Sequence, residues 1–333
     1  MSTTVAAYQL VETDEGVRGR HTRIPLEDLG EGDVLIRVTH SSVNYKDGLA
    51  ATGRAPIARR LPLVGGCCAA GTVVEPGKSG VPADTVVAVV GATLSEQHNG
   101  GYCEYLRVPA AWVVAVPEAF TSRQAAAIGT AGVTSAMAVV KLEDAGVTPE
   151  SGPIAVTGAS GGAGSLAVAL LAARGYEVTA LTGKPEAEDL LRDLGAANVA
   201  PRPDTSGTRP LERGTWAGAV DTVGGDTLAW LTRTVAPGGS IAAFGNAGGN
   251  RLTTTVLPFI LRGINLLGVT VTFPAAELRE RVWELLASSL SREALDAIAT
   301  DVDFEDLDDA LRRIVTTGVV GRQVVRIGGE AAV

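Results

Sequence analysis

The chain of 333 residues is longer than the roughly 100–200 residues of one ordinary domain, which predicts two domains, and its 46% hydrophobic and 20% charged residues exclude a mostly disordered protein. Its 28 Lys and Arg against 37 Asp and Glu give a net charge of −9, a sign that repels nucleic acid and excludes a general nucleic-acid partner. Cys67, Cys68 and Cys103 are too few for a disulfide framework, Met1 to Leu10 lacks a basic segment followed by an apolar run, and no stretch of about 18 uninterrupted apolar residues occurs; the expectation is a cytoplasmic protein with no membrane partner.

In chain order, short β-rich runs at Asp33–His40, Gly71–Glu75, Thr85–Val90 and Trp112–Val116, separated by Gly, Pro and polar loops, predict an antiparallel, loop-rich β domain from Thr4 to Pro117. From Ser122 an Ala-rich helical stretch runs to about Val140, and strands then alternate with helices, the pattern of a doubly wound parallel sheet. The predicted strands are Ile154–Thr157, Glu177–Leu181, Asn198–Ala200, Ala217–Thr222, Ser240–Gly245 and Asn265–Val271. The helices between them are Ser165–Arg174, Ala187–Leu194 and Thr227–Ala236, stopped by Gly175, Gly195 and Gly238. After Phe273 come a helix with Leu278, Val282, Leu285 and Leu286 on one side, a second helix near Leu307–Val315 and a closing strand Gln323–Ile327, all expected to return to the first domain. The fold class is α/β, with a discontinuous β domain at 1–121 and 273–333 and the parallel sheet at 122–272.

Thr157-Gly158-Ala159-Ser160-Gly161-Gly162-Ala163-Gly164 lies between an apolar strand and an Ala/Leu helix. Read back from Gly164 it is A-x-G-x-x-G, with Ala159 in place of the first glycine of a dinucleotide fingerprint, Gly161 for close backbone approach and Gly164 for helix packing. A pyrophosphate would meet the unpaired N–H groups of that helix start; the alternative is a tight turn with glycines for steric reasons alone. The second strand ends in Thr182-Gly183-Lys184, a hydroxyl and a cation where an acidic residue would read a free ribose 2′-OH, so the expected cofactor is NADPH rather than NADH. Asp221 and Gly245-Asn246-Ala247 follow parallel strands at the carboxyl edge, where such sheets bind ligands, and are expected to shape the nicotinamide side.

A third cluster, Ser41-Ser42-Val43-Asn44-Tyr45-Lys46-Asp47-Gly48 with Arg54, Arg59 and Arg60, resembles the N-terminal signature of the zinc-independent quinone oxidoreductase branch of the medium-chain dehydrogenase/reductase superfamily, above all the acrylyl-CoA reductase group. Glu96-Gln97-His98-Asn99-Gly100-Gly101, Ala126 to Thr134, Val220-Asp221-Thr222-Val223-Gly224 and Leu257-Pro258-Phe259-Ile260-Leu261-Arg262 extend the resemblance over nearly the whole chain. It implies a GroES-like β domain formed by both chain ends, an inserted Rossmann domain, NADPH in the cleft between them, and homodimers joined through the last Rossmann strand. Zinc members carry a Cys at the position of Asn44 and a His-Glu pair at Cys67 and Cys68; neither is present here, and no metal is expected.

The resemblance further implies hydride delivery from NADPH to the β-carbon of an α,β-unsaturated thioester or ketone. Asn44 would hold cofactor or substrate near the ring, and so is both a catalytic and a cofactor-binding candidate. Tyr45 would donate to the developing oxyanion or relay a proton, or else serves as a packing aromatic. His98 is a proton relay or a loop anchor. Arg54, Arg59 and Arg60 are candidates for the phosphates of a coenzyme A arm, or are a solvated basic loop. In the acrylyl-CoA reductase pattern an Asp stands at the position of Cys68, a bulky aromatic at Ala69, and glycines at Thr93 and Ser95. Cys68 is thus a substrate-side candidate in a cleft altered in width and polarity. A quinone or enone reductase, and a catalytically silent NADPH-binding sensor or structural protein, are the competing readings.

Overall fold

The computed structural model describes residues 3–316 and 318–328, and the chain divides into two compact units. The β unit comprises Met1–Thr130, Val271–Phe273 and Ala299–Val333, and the parallel-sheet unit Ala131–Thr270 and Pro274–Ile298.

In the β unit, the strands Thr4–Thr13 and Gly16–Pro25 form a hairpin whose two-residue turn closes on Gly16 at φ +97°. Sequence reading gave this hairpin no boundaries, because its second strand, GVRGRHTRIP, is half-buried and lacks an apolar alternation. A larger sheet runs in the order Ala299–Asp303, Arg322–Arg326, Val34–Val43, Cys68–Glu75, Val86–Val90 and Val114–Ala115, with Tyr105–Val108 also on Val34–Val43. The closing strand pairs antiparallel with Val34–Val43, Gln323 opposite Val43 and Arg326 opposite His40, which brings the C-terminal segment beside the Asn44 segment. The expected strand Trp112–Val116 is a 3-10 turn, Ala110–Trp112, followed by the short strand Val114–Ala115. The core of Tyr8, Leu10, Ile36, Leu94, Tyr102 and Leu106 is fully buried.

The parallel-sheet unit holds six strands in the order Asn198–Pro201, Val178–Thr182, Ile154–Thr157, Trp216–Asp221, Val235–Ala243, Asn265–Gly268, all pairs parallel. This is the order that reverses direction next to its first strand and opens a ligand crevice at the carboxyl edge. The strand before that edge begins at Val235 rather than Ser240, because the preceding helix ends at Thr234. Helices Ala276–Ser289 and Arg292–Ile298 pack on the helix Gly162–Ala173 and so lie with the parallel sheet, whereas residues 273–333 were all expected in the β unit; 317 and 329–333 of that range are outside the described residues. Their buried Val282, Leu285, Leu286 and Leu295 have that helix as their apolar partner, a pairing that periodicity alone does not reveal.

Among the described residues one helix, Ser122–Asp144, is long and apolar enough to cross a membrane, and 83% of its apolar window is buried within the fold. It is interrupted at Gly129, whose φ of 44° and ψ of −152° are closed to residues with a side chain.

Candidate functional site

The parallel-sheet unit builds its edge from the strand Ile154–Thr157, a four-residue turn and the helix Gly162–Ala173. Gly158, at φ +60°, takes the left-handed position of the turn, one residue before Ala159, which stands in place of the fingerprint's first glycine. Ala159 is instead buried, its N–H on the Leu181 carbonyl at 3.1 Å. A methyl group on Gly164 would run into the Gly158 carbonyl oxygen, so Gly164 does serve close packing of the turn on the helix. No side chain caps the helix at Gly161. The N–H groups of Gly162, Ala163 and Gly164 have no intrahelical acceptor by position, which leaves a ready anion cradle.

Beneath this turn the side chains lock the strand ends together. Thr157 Oγ1 donates to Asp221 Oδ1 at 2.7 Å, and Asp221 Oδ2 accepts the Gly224 N–H at 2.8 Å. Asp221 is fully buried, and burial pushes its carboxyl up against the lowering effect of these donors. Thr157 and Asp221, both expected to bind cofactor, therefore shape the edge from below by holding the turn at Gly224. That turn is bridged to the loop holding Gly245, Asn246 and Ala247, with Gly248 N–H on Val223 O at 2.8 Å. Asn246 and Ala247 are exposed at the edge.

Ser160 and Thr182 close the other side, Thr182 Oγ1 donating to Ser160 Oγ at 2.8 Å, and Lys184 N–H donates to Thr182 Oγ1 at 3.1 Å. Exposed Gly183 has the Arg202 guanidinium directly over its Cα, so a methyl there would clash with it. Sequence reading missed Arg202. The signal was in the register: Thr182 pairs with Pro201, which sets the next residue beside Gly183. Among the described residues neither Lys184 nor Arg202 has a carboxylate within ion-pair distance, so two uncompensated cations stand at the end of the second strand.

In the β unit a second constellation forms around Asn44, the N-cap of the helix Tyr45–Ala51. This helix is under two turns long, too short for a periodic signal, and is set by a capping box in which Asp47 Oδ2 accepts the Asn44 N–H at 3.1 Å. The Asn44 side chain is engaged at both ends: Nδ2 donates to Ser42 O at 3.1 Å and Asp47 Oδ2 at 3.0 Å, and Oδ1 accepts from Arg322 at 3.1 Å. Asn44 is thus a positioning residue that fixes the start of the helix and with it Tyr45, half-buried, whose hydroxyl has no hydrogen-bond partner among the described residues.

Arg322 was not singled out in the sequence, where it is one Arg near a chain end. Only 3% exposed, it donates through Nε to Ala127 O at 2.8 Å and through its other nitrogens to Val43 O, Asn44 Oδ1 and Ser42 Oγ, the last at 2.6 Å. Cys67 and Cys68, each 1% exposed, adjoin it: Cys67 Sγ lies 3.4 Å from Asp47 Oδ2, and Cys68 Sγ 3.0 Å from Ser42 Oγ. Cys68, expected on the substrate side, faces this cluster instead of an open surface.

The remaining candidates do other work. His98 is anchored through one ring nitrogen, its Nε2–H donating to the Arg107 carbonyl at 2.8 Å, with its ring set edge-on to Trp112. Arg54 donates to Val315 O at 2.8 Å. Arg60 bonds the Gln97 carbonyl and lines a cavity of about 370 Å³ together with Glu27 and Asp28, whose carboxylates oppose a phosphate arm. Arg59 is exposed, with no side-chain partner among the described residues, and is the one of the three that remains free for an anion.

Residues 30–118 match the alcohol dehydrogenase GroES-like domain, and residues 162–288 match the family model described as zinc-binding dehydrogenase. The donor set does not fit a zinc ion: among the described residues no three His, Cys, Asp or Glu side chains are grouped to hold one, and a buried guanidinium stands against the two sulfurs. The chain is 43% identical over 307 residues to acrylyl-CoA reductase AcuI of Ruegeria pomeroyi, covering 92% of this chain and 93% of that one. It is 40% identical over 330 residues to the putative quinone oxidoreductase YhfP of Bacillus subtilis, covering 98% and 100%, and the crystal structure of that protein with NAD bound superposes at a TM-score of 0.91. The yhdH oxidoreductase of Salmonella enterica, in complex with NADP, superposes at 0.94 with 40% identity over 97% of this chain and 100% of that one.

Proposed function

Because the chain belongs to the medium-chain dehydrogenase/reductase family, with relatives named as acrylyl-CoA reductase and quinone oxidoreductase, we propose that it is an NADPH-dependent enoyl reductase that saturates the C=C bond of an α,β-unsaturated thioester of the acrylyl-CoA kind, without a metal ion. The observation that carries the cofactor half of this reading is the pair of uncompensated cations, Lys184 and Arg202, beside Thr182 and Gly183. A ribose 2′-phosphate offers anionic oxygens to a guanidinium fork, whereas a free 2′-OH gains little from two cations and would find no acidic acceptor. The uncapped N–H groups of Gly162 to Gly164 would take the pyrophosphate, and the loop Gly245 to Ala247 would border the nicotinamide.

When bound, NADPH supplies the hydride that adds to the β-carbon of the enoyl group. The chain's own part is to steady the negative charge that then collects on the carbonyl oxygen and to return a proton to the α-carbon. Tyr45 suits the first task, since its hydroxyl is uncommitted and the Asn44 capping box sets its position. Arg59 suits a phosphate of the carrier arm. The quinone or enone reading keeps one specific support, the small Cys68 and Ala69 where the acrylyl-CoA reductase pattern has an acidic and an aromatic side chain, together with the YhfP relative. The three buried, unpaired cysteines accord with a reducing cytoplasm. A homodimer joined at the edge strand Asn265–Gly268 would cover the apolar side chains exposed on that side of the parallel-sheet unit.

The test is a panel assay of cofactor oxidation with acrylyl-CoA, the free acid, small enones and quinones, run with NADPH and with NADH on the native protein and on Arg202→Glu. The expected result is NADPH oxidation fastest with the thioester, and in Arg202→Glu a rise of about tenfold or more in the KM for NADPH with little change for NADH. Equal use of the two cofactors by both proteins would overturn the cofactor assignment. Faster turnover of quinones than of the thioester would favour the second reading, and binding without turnover across the panel would favour a silent NADPH-binding protein.

A further inference from the structure

A guanidinium as deeply buried as that of Arg322 requires an anion close by, because the cost of removing an unpaired charge from water exceeds anything neutral acceptors return. Yet among the described residues no carboxylate lies within ion-pair distance of Arg322; it donates to the backbone carbonyls of Ala127 and Val43, the side-chain oxygen of Asn44 and the Ser42 hydroxyl. The nearest acid, Asp47, is reached only through Asn44, and its oxygens already receive the Asn44 and Cys67 N–H groups.

The hydrogen bonds point to a different anion. Arg322 donates to Ser42 Oγ at 2.6 Å, which leaves the Ser42 hydroxyl hydrogen available to Cys68 Sγ, 3.0 Å away. Asn44 Nδ2 lies between the two sulfurs, 3.3 Å from Cys67 Sγ and 3.9 Å from Cys68 Sγ, and does not distinguish them. The neighbouring Cys67 differs: its sulfur stands 3.4 Å from the Asp47 carboxylate, where a negative sulfur would be repelled and a thiol can donate. We propose that Cys67 and Cys68 hold one proton between them, on Cys67, and that the Cys68 thiolate is the buried counter-charge of Arg322.

The surroundings of the two sulfurs push them apart in the same sense. The Cys67 thiol is held well up by its hydrogen bond to Cys68, by burial and by Asp47, while Cys68 is brought from 9.0 down to about 6 chiefly by the donors Cys67 and Ser42, with a smaller pull from Arg322, against burial and the Asp47 carboxylate. The charged and titratable groups facing the pair are Arg322 from the closing strand, Asp47 and Lys46 from the helix Tyr45–Ala51, and Tyr102, whose hydroxyl donates to Ser42 O. Because the Cys68 value is depressed in the folded chain, its contribution to stability is complete above about pH 9 and is lost as the pH falls through about 6. An Asp at this position would keep its charge to lower pH, so the cysteine makes the cluster sensitive to mild acid. This inference concerns the folded chain itself and stands or falls separately from the proposed reaction.

The experiment is a pH titration of thiolate ultraviolet absorbance on the full chain, with circular dichroism recorded at each pH to follow the fold. It is repeated on Cys68→Ser, Cys67→Ser and Cys103→Ser, and the melting temperatures of Cys68→Asp and Cys68→Ala are compared at neutral pH. The expected result is a single thiolate signal in the native protein with a midpoint near 6, unchanged in Cys103→Ser and absent in Cys68→Ser, and a melting temperature that Cys68→Asp retains better than Cys68→Ala. No thiolate signal at neutral pH, a signal that survives Cys68→Ser, or a Cys68→Asp protein that melts as low as Cys68→Ala would overturn the proposal. Where Cys68→Ser fails to fold, the native titration and the Asp-against-Ala comparison still decide it.

Discussion

Ser95 occupies left-handed backbone at φ +62°, and its hydroxyl, 1% exposed as a residue, has no hydrogen-bond partner among the described residues. Both features carry a cost: about 1–2 kcal/mol for the backbone of a residue with a side chain there, and about 1–3 kcal/mol for a buried unmet hydroxyl. Glycine would remove both and give back about 0.5–1 kcal/mol as extra freedom in the unfolded chain. Ser95→Gly is therefore expected to stabilise the protein by about 1–2 kcal/mol, seen as a higher urea midpoint with an unchanged slope; a lower midpoint would mean that the hydroxyl has a partner of its own. Single residues were unevenly legible in the sequence. The fingerprint glycines announced themselves because their spacing carries the geometry, but the left-handed backbone of the turn at Gly158, one position before the fingerprint begins at Ala159, is visible only in the structure. His98 and Arg60 looked like chemistry because of their residue types, and only their neighbours, the carbonyls of Arg107 and Gln97, reveal anchors.

The helix Ser122–Asp144 reads as one continuous Ala-rich stretch, yet its break at Gly129 is what admits Arg322 to the Ala127 carbonyl. A methyl at Gly129 would lie 2.8 Å from Ser42 Oγ, 3.1 Å from the Arg322 guanidinium and 3.3 Å from Cys68 Sγ. The break is therefore part of the polar cluster and not a fault in the helix. Gly129→Ala is expected to cost more than about 2 kcal/mol, from backbone strain and from displacement of a buried guanidinium, measured by urea unfolding. Because it closes the gap over Cys68, it is also expected to move the pH at which stability falls; an alanine variant as stable as the native chain would show that the cluster yields freely. The short helix Tyr45–Ala51 makes the complementary point: no periodicity marks it, and a single capping box between Asn44 and Asp47 suffices to start it.

For the molecule as an assembly, the parallel sheet ends at the strand Asn265–Gly268, which has a neighbour on one side only. Next to it the helix Leu257–Arg262 leaves Ile260 68% and Leu261 64% exposed, beside exposed Val256 and Leu266. An unpaired strand edge with apolar side chains around it is a liability that proteins cover. In the proposed homodimer a second copy of the chain would cover it by symmetry, edge to edge. Ile260→Glu combined with Leu266→Lys is expected to shift the sedimenting species from dimer toward monomer with the circular dichroism unchanged; a native protein that sediments as a monomer at assay concentration would remove the basis for this reading.

What the chain's residue order determined by itself was everything carried by local pattern: the alternation of apolar strands with glycine-stopped helices from Ile154 to Gly268, the glycine-rich turn at their start, and the absence of an acidic residue after the second strand. Those features depend on spacings of a few residues, and spacing is visible in one dimension. The tertiary structure alone decided which distant groups stand together. Arg202 came beside Gly183 through parallel register, the helices Ala276–Ser289 and Arg292–Ile298 went to the parallel sheet because their apolar partner is there, and Arg322 met Ser42, Asn44 and the two cysteines because the closing strand lies antiparallel to Val34–Val43. Burial decides the charge state of such a cluster, since a guanidinium or a thiol titrates according to what surrounds it in space, and no stretch of sequence contains that surrounding.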